Sequence, residues 1–480
     1  MWFLSLLIIS RSPEMIIGLS TLAIMLLGAF FWMHSRPMVG IVLLCVLMPF
    51  YNGWILVALE WYGIYTSPRT LLLISRWKEL LFLFFLFAAR RKDMRTAFTA
   101  AKSLDFWMLT YMAVGVIYIL KAPFILLGVW GFRIDHVYFL PYFTMRFIPV
   151  SKGNLKTILR ILAVTSSIIA VAGMYQVAFM SAKDVIAMGY GHPPLHETLP
   201  DAWLRIEWNY IRPGILMGSP LSMAALMMTT IIMLAPFILF NSKKNYGLSV
   251  WVCFFLCSIT MLLTTTRSSW LGAAGGILFA GVLTRQYKRL ILYSVVGGAA
   301  AFVLIGATIG FSFLNSTVNA SEGSSFVHLQ RLKEGWELLK STPIGHGLGM
   351  AGRALQTAGN AGNVDENTTE SWYFQICYEM GWAGLIAFIM ITVEMVRLSI
   401  KIYNQLDDEF LRLFTAGVAA NNLALSAYGI FLHIWAQHDM NNLYPWMLNA
   451  LVVFHVRTID DRLKARKQAR AASNDAVLSA

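Results

Sequence analysis

The chain has 480 residues, of which 58% are hydrophobic and 13% are charged, and its mean hydropathy is +0.62. Water-soluble globular proteins carry about 25% charged residues, so this composition excludes a soluble enzyme and predicts an integral membrane protein. The formal net charge of +13 comes from 38 basic and 25 acidic residues. Its meaning depends on where the basic residues lie along the chain.

About a dozen long apolar runs follow one another, and each crossing of the roughly 30 Å hydrocarbon core takes about 20 residues as a helix. Continuous apolar runs are typical of helices, whereas the strands of a membrane barrel alternate over about 10 residues. We therefore predict an all-α, polytopic membrane protein with about 12–14 transmembrane helices. The predicted runs are 15–33, 38–59, 70–89, 105–121, 134–150, 155–180, 213–240, 248–266, 270–283, 290–313, 371–396, 413–435 and 443–456.

The basic residues concentrate in alternate connectors between these runs. The basic segments are 90–95, 152–156, 243–244, 285–289, 397–401 and the tail 457–470. The positive-inside tendency predicts that these segments and the C-terminus are cytoplasmic. Much of the positive charge then marks topology, and we expect no nucleic-acid partner.

This topology leaves two longer connectors on the outer face, about 181–212 and 314–370. Loops longer than about 15 residues are uncommon in compact proteins and are usually functional, so we expect the chemistry there. The chain divides into five parts: N-terminal transmembrane helices 1–210, central helices 211–313, an extracytoplasmic loop 314–370, C-terminal helices 371–456 and a basic cytoplasmic tail 457–480.

The sequence predicts no metal site. In the shorter outer loop His192 and His196 suggest ligands, but Pro193 and Pro194 break the helix that would align them. All four cysteines lie in apolar runs without zinc-site spacing, and we interpret them as packing residues: Cys45, Cys253, Cys257 and Cys377.

The shorter outer loop also mixes basic and aromatic side chains. Arg205 and Arg212 lie close in sequence to Trp208 and Tyr210. Aromatic faces stack on sugar rings, so Arg205, Trp208 and Tyr210 are candidate glycan-binding residues. An aromatic belt at the membrane surface explains the Trp and Tyr residues equally well.

The long outer loop contains an amphipathic helix of about four turns. Apolar residues at helical spacing form its stripe: Leu329, Leu332, Trp336 and Leu339. Ser325 is a candidate N-cap, and Pro343 follows the end. The stripe predicts a helix that lies on the membrane or caps the bundle, with Trp336 as a candidate glycan contact. His328 and Arg331, three residues apart, share a neighbouring flank, which is also typical of a solvated surface.

A glycine-rich turn follows that helix. Gly345, Gly347 and Gly349 allow backbone conformations that are closed to other residues. One interpretation is a tight turn whose N–H groups face a phosphate or shape a sugar cleft, with Arg353 near by. A plain flexible turn is the alternative.

The long loop ends at Glu370, at the predicted outer mouth of the next helix. A carboxylate there is placed to accept a proton from a sugar hydroxyl, and Tyr373 is a further candidate glycan contact. Asn367 and Glu370 also have the spacing of a capping box, so the alternative is that Glu370 only closes a helix start.

Arg267 lies in the segment TTTRSSW, at a predicted outward turn between two apolar runs. An arginine at such a position usually serves a partner or a ligand, and its planar fork of donors suits phosphate. We predict a pyrophosphate-binding cluster of Arg212, Arg267, Arg331 and Arg353, with snorkelling of Arg267 to the interface as the alternative.

Four motifs follow one another along the chain: RPGILMGSP from residue 212, TTTRSSW from residue 264, TPIGHGLG from residue 342 and SWYFQICYEMGWAGL from residue 371. In this order they resemble the bacterial O-antigen ligase and polymerase-like family of polytopic membrane glycosyltransferases, over about residues 212–384. The resemblance implies a GT-C-like fold and transfer of a glycan from undecaprenyl pyrophosphate at the outer face. It further implies no metal, cofactor or nucleotide sugar, and pyrophosphate binding by Arg212, Arg267 and, less closely matched, Arg331.

Ligases of this family usually carry His-Asn at the start of the helix after the long loop, with the His as base. Here Glu370 and Ser371 occupy these positions. The departure favours a polymerase of exopolysaccharide, capsule or O-antigen repeats, with Glu370 as base and His328 as its substitute. Ligation to lipid A core or protein is the alternative. A lipid-linked oligosaccharide transporter is a second, suggested by charged residues at 76–79 within one apolar run.

The expected partners are an undecaprenyl-pyrophosphate-linked oligosaccharide and membrane lipids, together with a chain-length regulator and a flippase. The expected location is the bacterial cytoplasmic (inner) membrane. The active site then faces the periplasm or the outside, and the C-terminus faces the cytoplasm.

Overall fold

The structure is a computed structural model. It describes residue 28 and residues 37–50, 102–187, 206–207, 210–240, 247–308, 323–351, 371–432, 440–465 and 468–469. Over these residues the protein is helical apart from one short antiparallel strand pair, which confirms the predicted all-α polytopic membrane class.

The first half of the described chain contains helices α1 Pro37–Leu47, α2 Lys102–Lys121, α3 Ile125–His136, α4 Leu140–Met145, α5 Lys152–Phe179 and α6 Ala182–Ala187. The strands β1 Ile206–Glu207 and β2 Tyr210–Ile211 follow. The second half contains α7 Pro220–Ile238, α8 Leu248–Leu263, α9 Arg267–Leu283, α10 Tyr287–Thr308, α11 Gly323–Ser341, α12 Trp372–Gln405, α13 Glu409–Tyr428 and α14 Met440–Ala450, which continues as the π-helical turn Leu451–Val456.

Four of these helices, α2, α5, α7 and α12, are long and apolar enough to cross a membrane. The predicted run 70–89 lies outside the described residues, as does nearly all of the run 15–33, so the total of 12–14 spans stays a prediction.

Two predicted apolar runs are wrong in their helix boundaries. The run 134–150 is not one helix: α3 ends at His136, a 3-10 turn follows, and α4 begins with Pro141 in its first turn. Proline lacks an amide hydrogen and is favoured in the first turn of a helix, so Pro141 suits a new helix start at this point. The run 213–240 becomes helical only at Pro220, where the Ser219 hydroxyl caps the helix by accepting the Leu221 N–H.

Helix α7 lies at the centre of the bundle. Nearly all of its residues are buried, and it packs against α5, α8, α9 and α13. A helix that is apolar on every face is typical of such a central position. The surrounding helices expose large apolar side chains, as lipid-facing helices do, for example Leu120 and Phe179, which are 75% and 74% exposed.

Polar contacts join the helix ends on one side of the bundle. We call this side the basic end. Lys152 at the start of α5 lies 2.5 Å from Asp408 before α13, and Ser103 at the start of α2 donates to Glu394 near the end of α12. The opposite, arginine end contains Arg212 and the turn between α8 and α9. This arrangement matches the alternation of basic connectors, and the side of the membrane that each end faces stays a prediction.

Asp460 anchors the C-terminal segment at the basic end. Its side chain accepts the backbone N–H groups of Asp407 and Asp408 at 3.2 and 2.9 Å and lies 3.0 Å from the Lys464 ammonium. Burial alone would raise the pKa of Asp460, but the Lys464 ammonium and the two N–H groups outweigh it, so the pKa is lowered.

We expect the stabilisation by Asp460 to be lost in acid. Because its pKa is lowered on folding, the contribution is present above the unfolded value of about 4 and disappears as the pH falls through the folded value. Asp460→Asn should therefore lower the free energy of unfolding by about 1–2 kcal/mol at neutral pH. Thermal unfolding in detergent should also show a smaller loss of stability at acidic pH for this variant than for the wild type. An unchanged loss of stability at acidic pH in this variant would contradict the assignment.

Candidate functional site at the arginine end

The Arg212 guanidinium is fastened to the turn that precedes Arg267. Its Nε donates to the carbonyl oxygen of Thr264 at 2.8 Å, and one terminal nitrogen donates to the Thr266 hydroxyl at 2.9 Å. Thr264, Thr265 and Thr266 connect α8 to α9, and Arg267 is the first residue of α9. We call residues 264–267 the arginine turn. The structure thus brings together two of the arginines that the sequence singled out, both partly exposed.

A buried glutamine holds the segment that carries Arg212. Gln176, near the end of α5, accepts the N–H groups of Gly214 and Ile215 at 2.9 and 3.0 Å, and its amide donates to the Arg212 carbonyl at 3.3 Å. Sequence reasoning missed Gln176. The sequence feature that could have identified it is a polar amide near the predicted outer end of an otherwise apolar run.

The arginine turn contains a strained residue. Thr265 has φ +53°, which is costly for a β-branched side chain, by about 1–3 kcal/mol. Hydroxyl groups tie the turn to its neighbours: Thr264 donates to the Met261 carbonyl and Ser269 to the Thr266 carbonyl, both at 2.7 Å. Such strain persists where surrounding contacts fix the backbone, and it is concentrated at functional sites.

Tyr428, the last residue of α13, joins this group. Its side chain is 2% exposed, and its hydroxyl lies beside Ser268 and within electrostatic range of the Arg212 guanidinium. The hydroxyl makes no hydrogen bond of normal geometry to any other described residue. Sequence reasoning missed Tyr428, because the closing of α13 onto α9 cannot be recognised from a local pattern.

The start of α12 is anchored to the same end of α13. The Trp372 N–H donates to the Gly429 carbonyl at 3.0 Å, and the Ser371 hydroxyl lies 3.4 Å from that oxygen. Since Gly429 follows Tyr428, the residues directly after Glu370 are connected to the arginine turn through α13. Glu370 itself lies outside the described residues.

The start of α12 directly follows Glu370 in sequence. Ser371 is the N-cap of α12 and has an extended backbone, with φ −87° and ψ 131°. Helix α12 therefore begins directly after Ser371. Asn367 and Glu370 lie outside the described residues, so the choice between base and cap for Glu370 stays a prediction.

Several other predicted site residues are described only in part or not at all. Arg205, Trp208 and Arg353 lie outside the described residues, and for Tyr210 and His328 only the backbone positions, in β2 and α11, are described. Their roles stay predictions.

Three further candidates have well-defined surroundings. Arg331 on α11 lies 3.9 Å from the Glu334 carboxylate. Trp336, 55% exposed, lies under the Lys340 ammonium. The Tyr373 hydroxyl donates to the Ser426 carbonyl at 3.0 Å, so it joins α12 to α13.

The amphipathic helix of the long loop is present as α11, close to its predicted bounds. It packs against α12, where the Trp382 indole N–H donates to the Leu339 carbonyl at 2.8 Å. A side chain at Gly335 would collide with the Phe374 ring, so the two helices are in close contact there. Of the two positions left open by the sequence, the structure shows α11 packed on the bundle.

The glycine turn packs into the bundle beside α2, α3 and α12. Gly345, Gly347 and Gly349 all have positive φ, as the sequence predicted for a tight turn. Gly349 faces α3 so closely that a Cβ atom would lie 2.5 Å from the Leu127 carbonyl oxygen.

At least four N–H groups of this turn have acceptors within the protein, whereas one sequence interpretation directed them to a phosphate. They donate to protein oxygens: His346 to Tyr378 O at 2.8 Å, Gly347 to Glu379 O at 2.9 Å, Leu348 to Tyr118 O at 3.1 Å and Ala351 to the Glu379 carboxylate at 3.0 Å. A backbone donor used in this way is not available to a ligand.

A kink in α12 makes these contacts possible. Gly381 has φ +63°, which interrupts the helix, and the Trp382 N–H donates to the Pro343 carbonyl at 3.1 Å. The carbonyls of Tyr378 and Glu379, which a straight helix would pair within itself, accept N–H groups of the glycine turn instead. Hydrogen bonds between the glycine turn and α12 therefore take the place of the helical hydrogen bonds that are lost at the kink.

Residues 252–389 match a family model described as O-antigen ligase. The matched region contains the arginine turn, α11, the glycine turn and the first part of α12. A search of curated proteins found no match.

Proposed function

We propose that the protein is a polysaccharide polymerase, from the premise that residues 252–389 match a family model described as O-antigen ligase. It transfers a glycan from undecaprenyl pyrophosphate to a lipid-linked repeat unit, at the outer face of the cytoplasmic membrane. The product is an exopolysaccharide, a capsule or an O-antigen, and the reaction needs neither a metal nor a nucleotide sugar. The single observation that supports this proposal best is the fastening of Arg212 to the arginine turn.

The position of Arg267 favours an anionic ligand. It is the first residue of α9, where the helix dipole is already positive, and no acidic residue lies in the first turn. Two guanidinium groups near a helix N-terminus add to the positive potential there, which favours binding of an anion. A pyrophosphate supplies this charge, and the planar guanidinium groups suit its oxygen atoms.

The proposed reaction is a single displacement. The hydroxyl oxygen of the acceptor sugar forms a bond to the anomeric carbon of the donor glycan, while the bond from that carbon to the pyrophosphate oxygen breaks. Undecaprenyl pyrophosphate leaves with the bonding electron pair, and the hydroxyl proton passes to Glu370 or, in its place, to His328. Arg212 and Arg267 stabilise the negative charge that develops on the leaving group.

A ligase is the second candidate function, because the matching family model is described as O-antigen ligase. A ligase transfers the finished glycan to lipid A core or to protein instead of to another lipid-linked repeat. The two reactions share the donor and the arginine turn, so they differ in acceptor alone.

The acceptor decides between these functions. The purified protein in vesicles is given lipid-linked repeat units with no other acceptor, and a ladder of longer lipid-linked glycans is the expected product. Growth that appears only after lipid A core or protein acceptor is added would identify a ligase. Movement of the lipid across the vesicle without any extension would identify a transporter.

Tyr428→Phe tests whether the buried hydroxyl at the arginine end contacts the donor. Since this hydroxyl has no partner of normal geometry among the described residues, its loss should leave the thermal unfolding temperature unchanged. Transfer should fall by about 10-fold, the value of one hydrogen bond to a charged group. Tyr444→Phe is the control, because that hydroxyl donates to the Cys45 carbonyl. Full activity of Tyr428→Phe would remove Tyr428 from the site.

A further inference from the structure

Two carboxyl groups that the proposed reaction does not use meet inside the bundle. Asp135 lies near the end of α3, and Glu379 lies on α12, two residues before the kink at Gly381. Their residues are 6% and 1% exposed, and the two side chains are in hydrogen-bond contact with each other. Beyond that contact, both Asp135 oxygens and one Glu379 oxygen find no donor among the described residues.

No positive charge compensates this pair within the described part of the chain. Tyr111 on α2 lies within electrostatic range of the pair, and His136 on α3 stacks against Tyr111. The His136 ring is stacked between Tyr111 and Phe132, with centroids 4.6 and 4.4 Å away, and neither ring nitrogen donates to a carboxyl group. Two carboxylates placed side by side in a buried, low-dielectric interior are strongly unfavourable.

The Tyr111 hydroxyl is a third buried polar group beside the two acids. Tyr111 is fully buried, its hydroxyl has no partner among the described residues, and it lies within electrostatic range of both carboxyl groups. A buried hydroxyl without a partner is uncommon. Its presence shows that the surroundings of the two carboxyl groups are polar but contain few hydrogen-bond donors.

We propose that Asp135 and Glu379 form a buried proton-binding site, in which one shared proton joins the two carboxyl groups. A proton fits better than a metal ion, because the carboxyl groups contact each other directly, whereas a metal ion would separate them. No cluster of three or more His, Cys, Asp or Glu side chains is found in the described ranges. The proton site is tested by stability and spectroscopy, so its test requires no transfer activity.

The shared proton also holds the glycine turn in place. The Glu379 carboxylate accepts the N–H groups of Ala351, at 3.0 Å, and of Gly349. On the other side, Gly131 of α3 abuts Gly349 so closely that no side chain fits between them. Helix α3, helix α12 and the glycine turn therefore contact one another in pairs, and the shared proton supplies the contact between α3 and α12. Loss of the proton places two negative charges in contact and weakens all three connections.

Glu379→Gln tests the shared proton with almost no change in shape. The amide oxygen still accepts the Ala351 N–H, and the amide nitrogen gives Asp135 a permanent donor. We expect the unfolding temperature of the wild type in detergent to fall as the pH rises from mildly acidic to alkaline, because folding then has to bind a proton. In Glu379→Gln this dependence should be absent. Glu394→Gln is the control, since Glu394 lies on the same helix and pairs with Arg397.

A second measurement does not depend on any variant that might unfold. The infrared spectrum of the wild type should show a protonated carboxyl band that is shielded from solvent, and both Glu379→Gln and Asp135→Asn should remove it. The proposal is overturned if the wild type lacks this band. It is also overturned if sodium chloride stabilises the wild type relative to choline chloride at equal ionic strength, since a metal cation would then occupy the site.

Discussion

Replacement of Arg267 by alanine is expected to abolish polymer formation while the protein remains in the membrane. Arg267 lies at the start of α9, and in the proposed reaction its guanidinium stabilises the charge that develops on the leaving pyrophosphate. Removal of one preorganised donor to a developing charge slows catalysis by about 100- to 1,000-fold. We expect the loss in transfer rate with purified donor to be at least of this order.

A matched control separates the loss of a catalytic charge from the loss of any arginine. Arg160 lies on α5 and is exposed to its surroundings, closer to the basic end of the helix than to Gln176. Arg160→Ala should therefore keep the wild-type amount of polymer. Both variants are compared for polymer by gel and for protein by membrane immunoblot. Full polymer from Arg267→Ala would contradict the proposed role of the arginine turn.

Arg212→Lys gives finer information about the same site. Lysine keeps the positive charge, but a single ammonium cannot replace two donors directed at Thr264 and Thr266. If charge alone mattered, lysine would restore most of the activity. The observed geometry instead indicates that Arg212 also positions the turn, so we expect lysine to resemble alanine.

The sequence predicted the parts of the fold that depend on local pattern. Helices α5, α8 and α9 begin and end within a few residues of their apolar runs, and α11 follows the spacing of its apolar stripe. These features depend on the hydropathy of a segment and on the spacing of its apolar residues, and both can be read from that segment alone. The positive φ values of Gly345, Gly347 and Gly349 were also predictable, because glycine favours that conformation.

Features that join distant segments could not be predicted in this way. Gln176 supports Arg212 across 36 positions of sequence, and Tyr428 reaches Ser268 from another helix. The kink at Gly381 exists only because the glycine turn supplies replacement hydrogen bonds. No local propensity encodes such a pairing, since each partner is ordinary within its own segment.

The acidic pair shows the same limit, although its signal was visible. Asp135 and Glu379 both lie in predicted apolar runs, and a charged residue within such a run usually marks function. Their meaning depends on each other, and nothing in either run identifies the partner. The sequence could therefore point to each residue but not to the proton between them.

Glu370→Gln is expected to reduce transfer by about 100- to 10,000-fold, the usual contribution of a general base. Glutamine keeps the size of the side chain and removes its capacity to accept the hydroxyl proton. Glu370 lies outside the described residues. The described chain resumes at Ser371, and the Trp372 N–H donates to the Gly429 carbonyl at the arginine end of the bundle.

The measurement that identifies a base is the pH dependence of transfer. The wild type should lose activity in acid as the base becomes protonated, whereas the residual activity of Glu370→Gln should lack this limb. Glu337→Gln is the control, because Glu337 is exposed on α11 and pairs with Lys340 at 3.0 Å. If Glu370→Gln keeps full activity, the proton passes to another group. The same experiment on His328→Ala then decides whether the second candidate accepts it.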